Sequence, residues 1–470
     1  MIRLFAAAVL VTACAASNGA DAPWETAGPL TPITDATGET QPDLRGAWAS
    51  RGYGWILEIG SDGLTRYQDG AQCYAAPEET RALSAMAAVE YRYARLLPGG
   101  DSAIFQLLDG DTNVVFDRLD GLRERCRAPV DASPSAVAAE FLAAFETHYA
   151  FFDRRLPDRA ARTERLQAVV HDAMGDAELW SALGSYLDGI SDSHTKLIGA
   201  VDDERRRQQD GQGATLPRVR DGAGEGPWLT SLIDQASAGL GDSAVHTLND
   251  RLLWGVLEPE PERRVGYLQL FVMGGFTDRS DFASDAWATA EMAAFNAALD
   301  EAFIAFQDAD EVIVDLSNNR GGWDRVAKAL PARFTDSPYV GFTTQTRGSG
   351  LAPFPHVIEP AAGPRFTGPV TVLTSDVTVS GGELATLALR QLPNVTHAGT
   401  ATRGAFSTPL AKPLPNGWLL ELSNEVFAAP GGAVFEERGI APDVELDVYP
   451  ADAQVHGHWR AVTALSARPG

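Results

Sequence analysis

The chain has 470 residues, enough for two or three domains around a large buried core, and carries a formal net charge of −25 at pH 7. That charge argues against nucleic acid and anionic membrane surfaces as partners, because their phosphates would be repelled. A hydrophobic content of 45% with 21% charged residues describes an ordinary soluble globular protein.

Residues 1–13 read as a targeting segment, with Arg3 as the positive start and Leu4 to Thr12 as an apolar core too short to span a bilayer. Val11-Thr12-Ala13-Cys14 resembles a bacterial lipobox, in which Cys14 would be lipidated; the competing reading is a secretory signal cut near Ala16. Either route exports the protein. The expectation is a periplasmic chain that meets the membrane only through a lipid on Cys14. Cys73 and Cys126 remain, and two lone cysteines in one small region of an exported protein are expected to form a disulfide.

Residues 14–43 are rich in Thr, Pro, Gly and Ala and read as a tether. From 44 to 128, short alternating segments separated by turns such as Ser61-Asp-Gly63 and Pro98-Gly-Gly100 predict a small antiparallel β domain. A helical unit is expected over 129–200, with Phe141, Phe145 and Tyr149 four apart on one face, and it delivers His194 in the polar turn Gly189 to Leu197. Charged and Gly-rich runs make 201–262 read as a linker or insertion. Strands and helices then alternate from 263 to 450, the pattern of parallel crossovers, with antiparallel additions expected at Trp418–Leu422 and Val444–Val448. A tail covers 451–470.

The stretch Pro369 to Glu383 organises this last region. Val370 to Leu373 reads as a buried strand, and helix formers begin at Ser380, so the serine stands at a strand-to-helix turn beside orphan backbone N–H groups. The bland reading is a capping box, Ser380-x-x-Glu383. His246, between Asp242 and Asp250, reads as a surface charge cluster, and His456 and His458 as exposed tail residues. No metal or cofactor is implied.

Four segments together resemble the C-terminal processing and tricorn-type serine peptidases. Thr374-Ser-Asp-Val-Thr-Val-Ser-Gly-Gly-Glu383 is similar to the nucleophile signature, and Asp315-Leu-Ser-Asn-Asn-Arg-Gly-Gly322 to the Asp-Leu-Arg-x-Asn-x-Gly-Gly turn. Asp192-Ser-His-Thr-Lys196 resembles the histidine segment and Gly439-Ile-Ala-Pro-Asp443 the closing motif. Ser317 and Asn318 depart from the usual residues of the Asp315 turn. Where one version of the family has a lysine base, Thr402-Arg-Gly-Ala-Phe406 has Ala405, and none of the three lysines has the right spacing. The resemblance therefore implies the tricorn-like version without a PDZ domain: Ser380 as nucleophile, His194 as base, Glu436 (or its neighbour Glu437) and Ser193 orienting the imidazole, and Gly381 and Gly322 as the oxyanion hole. It implies an α/β, crotonase-like core and a serine endopeptidase acting on peptides or unfolded proteins. The alternatives are a non-catalytic relative that binds peptides or a hydrophobic ligand, and an acyl-CoA-type enzyme of the same architecture, for which no basic phosphate-binding stretch is evident.

Overall fold

The computed structural model describes residues 21–453 and 456–468. The targeting segment and Cys14 lie outside them. Four near-continuous apolar runs build its centre: Arg263–Leu270, Glu311–Asp315, Val370–Thr374 and Val395–Gly399 lie side by side and parallel. Strands covered on both faces need such runs rather than alternation, and Val312, Val314, Val370 and Val372 are all buried. Leu252–Glu260 and Val245–Thr247 extend one edge antiparallel, and Val444–Glu445 completes seven strands at the other. This last strand was expected to be antiparallel but runs parallel to Val395–Gly399. The chain between them pairs in other sheets, so it re-enters the central sheet by a crossover rather than a hairpin.

Asp285–Ala305 and Gly381–Leu389 cover one face of the sheet through Phe295, Leu299, Phe303, Leu384 and Leu387. The other face is covered by Thr215–Asp221, Glu225–Leu240 and the C-terminal helix His456–Ser466. Residues 201–262 are therefore regular structure rather than a linker. Trp228, Leu232, Ala236 and Leu240 recur every four residues and are buried, a helical stripe masked in the sequence by the polar runs on either side.

The N-terminal region forms an eight-stranded antiparallel sheet in the order Thr31–Pro32, Tyr93–Leu96, Ser102–Gln106, Val114–Leu119, Gly46–Ser50, Trp55–Ile59, Leu64–Asp69, Cys73–Ala75. Its first strand lies within the expected tether, and Ile33 and Leu44 are buried, so the segment from residue 21 is part of the fold. Cys73 and Cys126 are joined by a disulfide. Trp48, Phe105 and Phe116 share one hydrophobic cluster with Phe141, Phe145 and Tyr149 of the helical unit, so the β sheet and the helices are one packed body. A four-stranded sheet, Glu204–Gln208, Lys196–Val201, Leu419–Ser423 and Pro409–Pro413, ties the strand after His194 to the C-terminal half. No helix among the described residues is long and apolar enough to cross a membrane.

Candidate active site

The carboxyl ends of the parallel strands carry the site, where the turns after Leu270, Asp315, Thr374 and Gly399 converge. The turn after Thr374 is lashed to its neighbour: Ser375 Oγ donates to the Ser317 carbonyl at 2.6 Å and Thr378 Oγ1 to that of Leu316 at 2.7 Å. It ends on Ser380 at φ 57°, ψ −121°, a left-handed conformation that costs about 1–3 kcal/mol outside glycine and marks a sharp strand-to-helix elbow. The helix Gly381–Leu389 behind it is buried along its whole length, whereas Ser380 is partly exposed to a cleft.

Only half of the expected capping box forms. Glu383 Oε2 accepts from Ser380 N at 3.2 Å, but the Glu383 N–H bonds the Ser380 carbonyl, and the Ser380 hydroxyl caps nothing. Glu383 also takes the N–H groups of Gly404 and Ala405, at 2.6 and 2.8 Å. It thereby clamps the 402–406 turn onto the elbow, and Ser380 N in turn bonds the Ala405 carbonyl at 3.0 Å.

The Asn318–Gly322 turn lies against the elbow at close range. A Cβ on Gly321 would come within 2.6 Å of Ser380 Cβ, and one on Gly322 within 2.5 Å of the Met273 carbonyl oxygen, at φ of 77° and 133°. Buried Asn319 shapes the turn, donating to the Leu270 carbonyl and accepting from Gly321 N. Gly381 opens its helix and so has no helical carbonyl four residues back to bond. A Cβ built on it would lie 3.2 Å from Gly322 N, which places these two glycines together at the elbow. Beneath the turn, Asp315 accepts from Ser317 N at 2.8 Å and Tyr267 Oη at 2.8 Å, and pairs with His458 Nε2 at 2.6 Å. His458 is thus fully buried rather than exposed, because the C-terminal helix folds back over the sheet.

His194 enters from the helical unit. Asp192 shapes its turn by accepting from His194 N and Thr195 Oγ1, both at 2.9 Å. The imidazole and Ser193 line the same cleft as Ser380. Among the described residues His194 Nδ1 and Ser193 Oγ have no hydrogen-bond partner, and no hydrogen bond links the ring to Ser380. Glu436 does not reach the ring either. One of its oxygens accepts from Arg155 Nη2 at 3.1 Å and the other from Phe406 N at 3.0 Å. Arg155 intervenes, spanning Glu436 and the carbonyls of Gly404 and Ser191, the latter at the base of the His194 turn. Glu437 is exposed, so Glu436 is the buried member of the pair.

One guanidinium here faces two buried carboxyls. Burial holds the Glu436 carboxyl well above the usual range against the pull of Arg155, whereas the charges of Arg155 and His194 keep Asp192 below it despite burial. Burial likewise pushes the His194 imidazole down to about 3, opposed by the Asp192 charge. If His194 is the base that the resemblance implies, it works in its neutral form, and lowering its pKa extends that form to lower pH. The value of kcat/KM for an uncharged peptide is expected to stay level from pH 8 to below pH 5. A half-loss near pH 6.5, the ordinary histidine value, would show that the working imidazole is solvated.

The cleft encloses about 860 Å³. One part is aromatic and apolar, with Trp55, Tyr91, Leu107, Trp287 and Trp323; another is basic, with Lys196, Arg207, Arg220, Arg320 and Arg403. Arg320 and Trp323 flank Gly321 and Gly322, so the two parts meet at the elbow. Arg155 and Arg403 were not singled out in the sequence, where nothing distinguishes them from other arginines.

Fold and cleft together define a serine-type peptidase. Residues 264–446 match the model of peptidase family S41. Among solved structures, a peptidase candidate from Parabacteroides merdae is 22% identical, with a TM-score of 0.57, over 72% of this chain and 98% of that one. Mature CPAF complexed with lactacystin is 12% identical, with a TM-score of 0.50, over 71% and 97%. These likenesses establish a shared fold. No curated protein matches the chain.

Proposed function

We propose that the chain is an exported serine endopeptidase in which Ser380 is the nucleophile and His194 the general base. The observation that carries this reading is the Ser380 elbow: a strained, partly exposed serine whose hydroxyl caps nothing, beside two glycine amides and in one cleft with a neutral imidazole. The Ser380 proton passes to His194 as Oγ attacks the peptide carbonyl, and His194 then returns it to the leaving amine. The N–H groups of Gly381 and Gly322 receive the oxyanion. Apo sites often have long catalytic contacts that tighten when substrate binds, and the hydroxyl and ring must close to about 3 Å for transfer. Glu436 acts on His194 at one remove, through Arg155 and the Ser191 carbonyl. Support for export comes from the N-terminal sequence, with a lipid on Cys14, and from the Cys73–Cys126 disulfide. The long aromatic and polar cleft suits peptides or unfolded chain.

A second reading, a non-catalytic peptide-binding member of the fold, draws on the unpartnered His194 Nδ1, since no carboxylate orients the ring. Labelling by a fluorophosphonate separates the two. Wild type is expected to label at Ser380, with loss in Ser380→Ala and strong slowing in His194→Ala. Equal labelling of all three, or none in wild type, selects the binding reading.

A further inference from the structure

In a chain of net charge −25, the basic part of the cleft stands out. Lys196, Arg207, Arg220, Arg320 and Arg403 are five of the seven arginines and lysines that line the cleft, against three lining carboxylates, Asp111, Asp324 and Glu425. Two further carboxylates pair with members of the five. Glu421 pairs with Lys196 at 2.6 Å. Glu225 is shared between Arg320, at 2.9 Å, and Arg220. Arg207 lines the cleft with no ion pair among the described residues.

Arg403 is held most rigidly. Its N–H donates to the Thr378 carbonyl at 2.9 Å and its Nε to that of Asp376 at 2.6 Å, both in the turn that runs into Ser380. The guanidinium is thereby fixed beside the elbow. Its Nη2 is buried and has no acceptor among the described residues. A buried guanidinium nitrogen without an acceptor costs free energy; burial disfavours the charge, Glu383 and Asp376 offset part of that from a distance, and Arg320 and Arg220 add repulsion. With Nε taken by the Asp376 carbonyl, the guanidinium, part-exposed to the cleft, has its outer nitrogens left to meet a carboxylate, which it matches in charge.

We propose that Arg403 forms a subsite for the side-chain carboxylate of an Asp or Glu close to the scissile bond. The inference deepens the peptidase reading and rests on it for the position of that bond. The negative net charge does not oppose it, because repulsion from distant surface charges is screened beyond about 10 Å at 0.1 M salt, while charges inside a cleft are screened less.

The experiment measures binding rather than turnover, on the full chain carrying Ser380→Ala. Fluorescent peptides differing only in Glu against Gln, each with a free or an amidated C-terminus, are titrated by anisotropy. The Glu peptide is expected to bind about 10- to 100-fold more tightly than its Gln partner, the worth of hydrogen bonds to a charged group, whichever C-terminus it carries. Adding Arg403→Gln should reduce the preference to within about threefold. Should Arg403→Gln fail to fold, Arg403→Lys keeps the charge without the fork and is expected to lose most of the preference. Equal binding of Glu and Gln peptides overturns the proposal. So does a preference that survives at Arg403→Gln, or one that depends only on the free C-terminus. A Glu preference in a wild-type chain that does not label at Ser380 would sink the nucleophile assignment alone; labelling without a Glu preference would sink the subsite alone.

Discussion

Ser380→Ala is expected to lower kcat by about 10⁴- to 10⁶-fold, the range found when a serine nucleophile is removed, with KM changed little. The size follows from what is lost: without Oγ no acyl-enzyme forms, and only the oxyanion donors and substrate binding remain. Stability should barely move, because the hydroxyl makes no capping bond and alanine keeps the same strained φ. Ser380→Gly makes the complementary measurement. It should be equally inactive but more stable by about 1 kcal/mol, since glycine accepts φ 57° without penalty. Urea denaturation of the three proteins reads both effects. Substantial turnover in Ser380→Ala would move the nucleophile elsewhere, and a marked stability loss would make this serine a structural cap after all.

Arg155→Ala is expected to be the most destabilising single change at the site, by about 3–5 kcal/mol, out of a total stability of about 5–15 kcal/mol. The Arg155 side chain is 0% exposed and that of Glu436 1%. Truncation leaves Glu436 and Asp192 buried without their shared cation, and frees the carbonyls of Ser191 and Gly404. Replacing both partners, as Arg155→Met with Glu436→Gln, should recover only part of the loss, because Asp192 stays buried without the cation it shared. Since Arg155 grips the base of the His194 turn, the folded fraction of Arg155→Ala should also turn over more slowly. A loss below 1 kcal/mol by urea denaturation at pH 7 would show that water or a neighbour replaces the guanidinium.

Much of the framework was legible before any coordinates. The parallel strand Val370–Thr374 lies within a residue of the apolar run Val370 to Leu373 that marks it in the sequence, because a strand buried on both faces needs such a run. The helix Glu225–Leu240 was hidden, although its stripe of Trp228, Leu232, Ala236 and Leu240 is regular, because Gly-rich and charged residues on either side suggest a loop. His458 was misplaced for a different reason: a tail helix carries no sign of which sheet face it will cover.

What the sequence by itself determined is the set of local devices: the strand-to-helix elbow at Ser380, the Asn318–Gly322 turn, the polar turn bearing His194, and their order along the chain. Each depends on residues within a few positions of one another, where periodicity and turn chemistry act. Only the tertiary structure decided which charges meet. Arg155 finds Glu436 across 281 residues, Asp315 finds His458 across 143, and Arg403 comes to line one cleft with Arg207 although they belong to different segments. A buried charge takes whichever opposite charge or dipole the packed backbone brings within about 3 Å, and that is settled when the elements pack together.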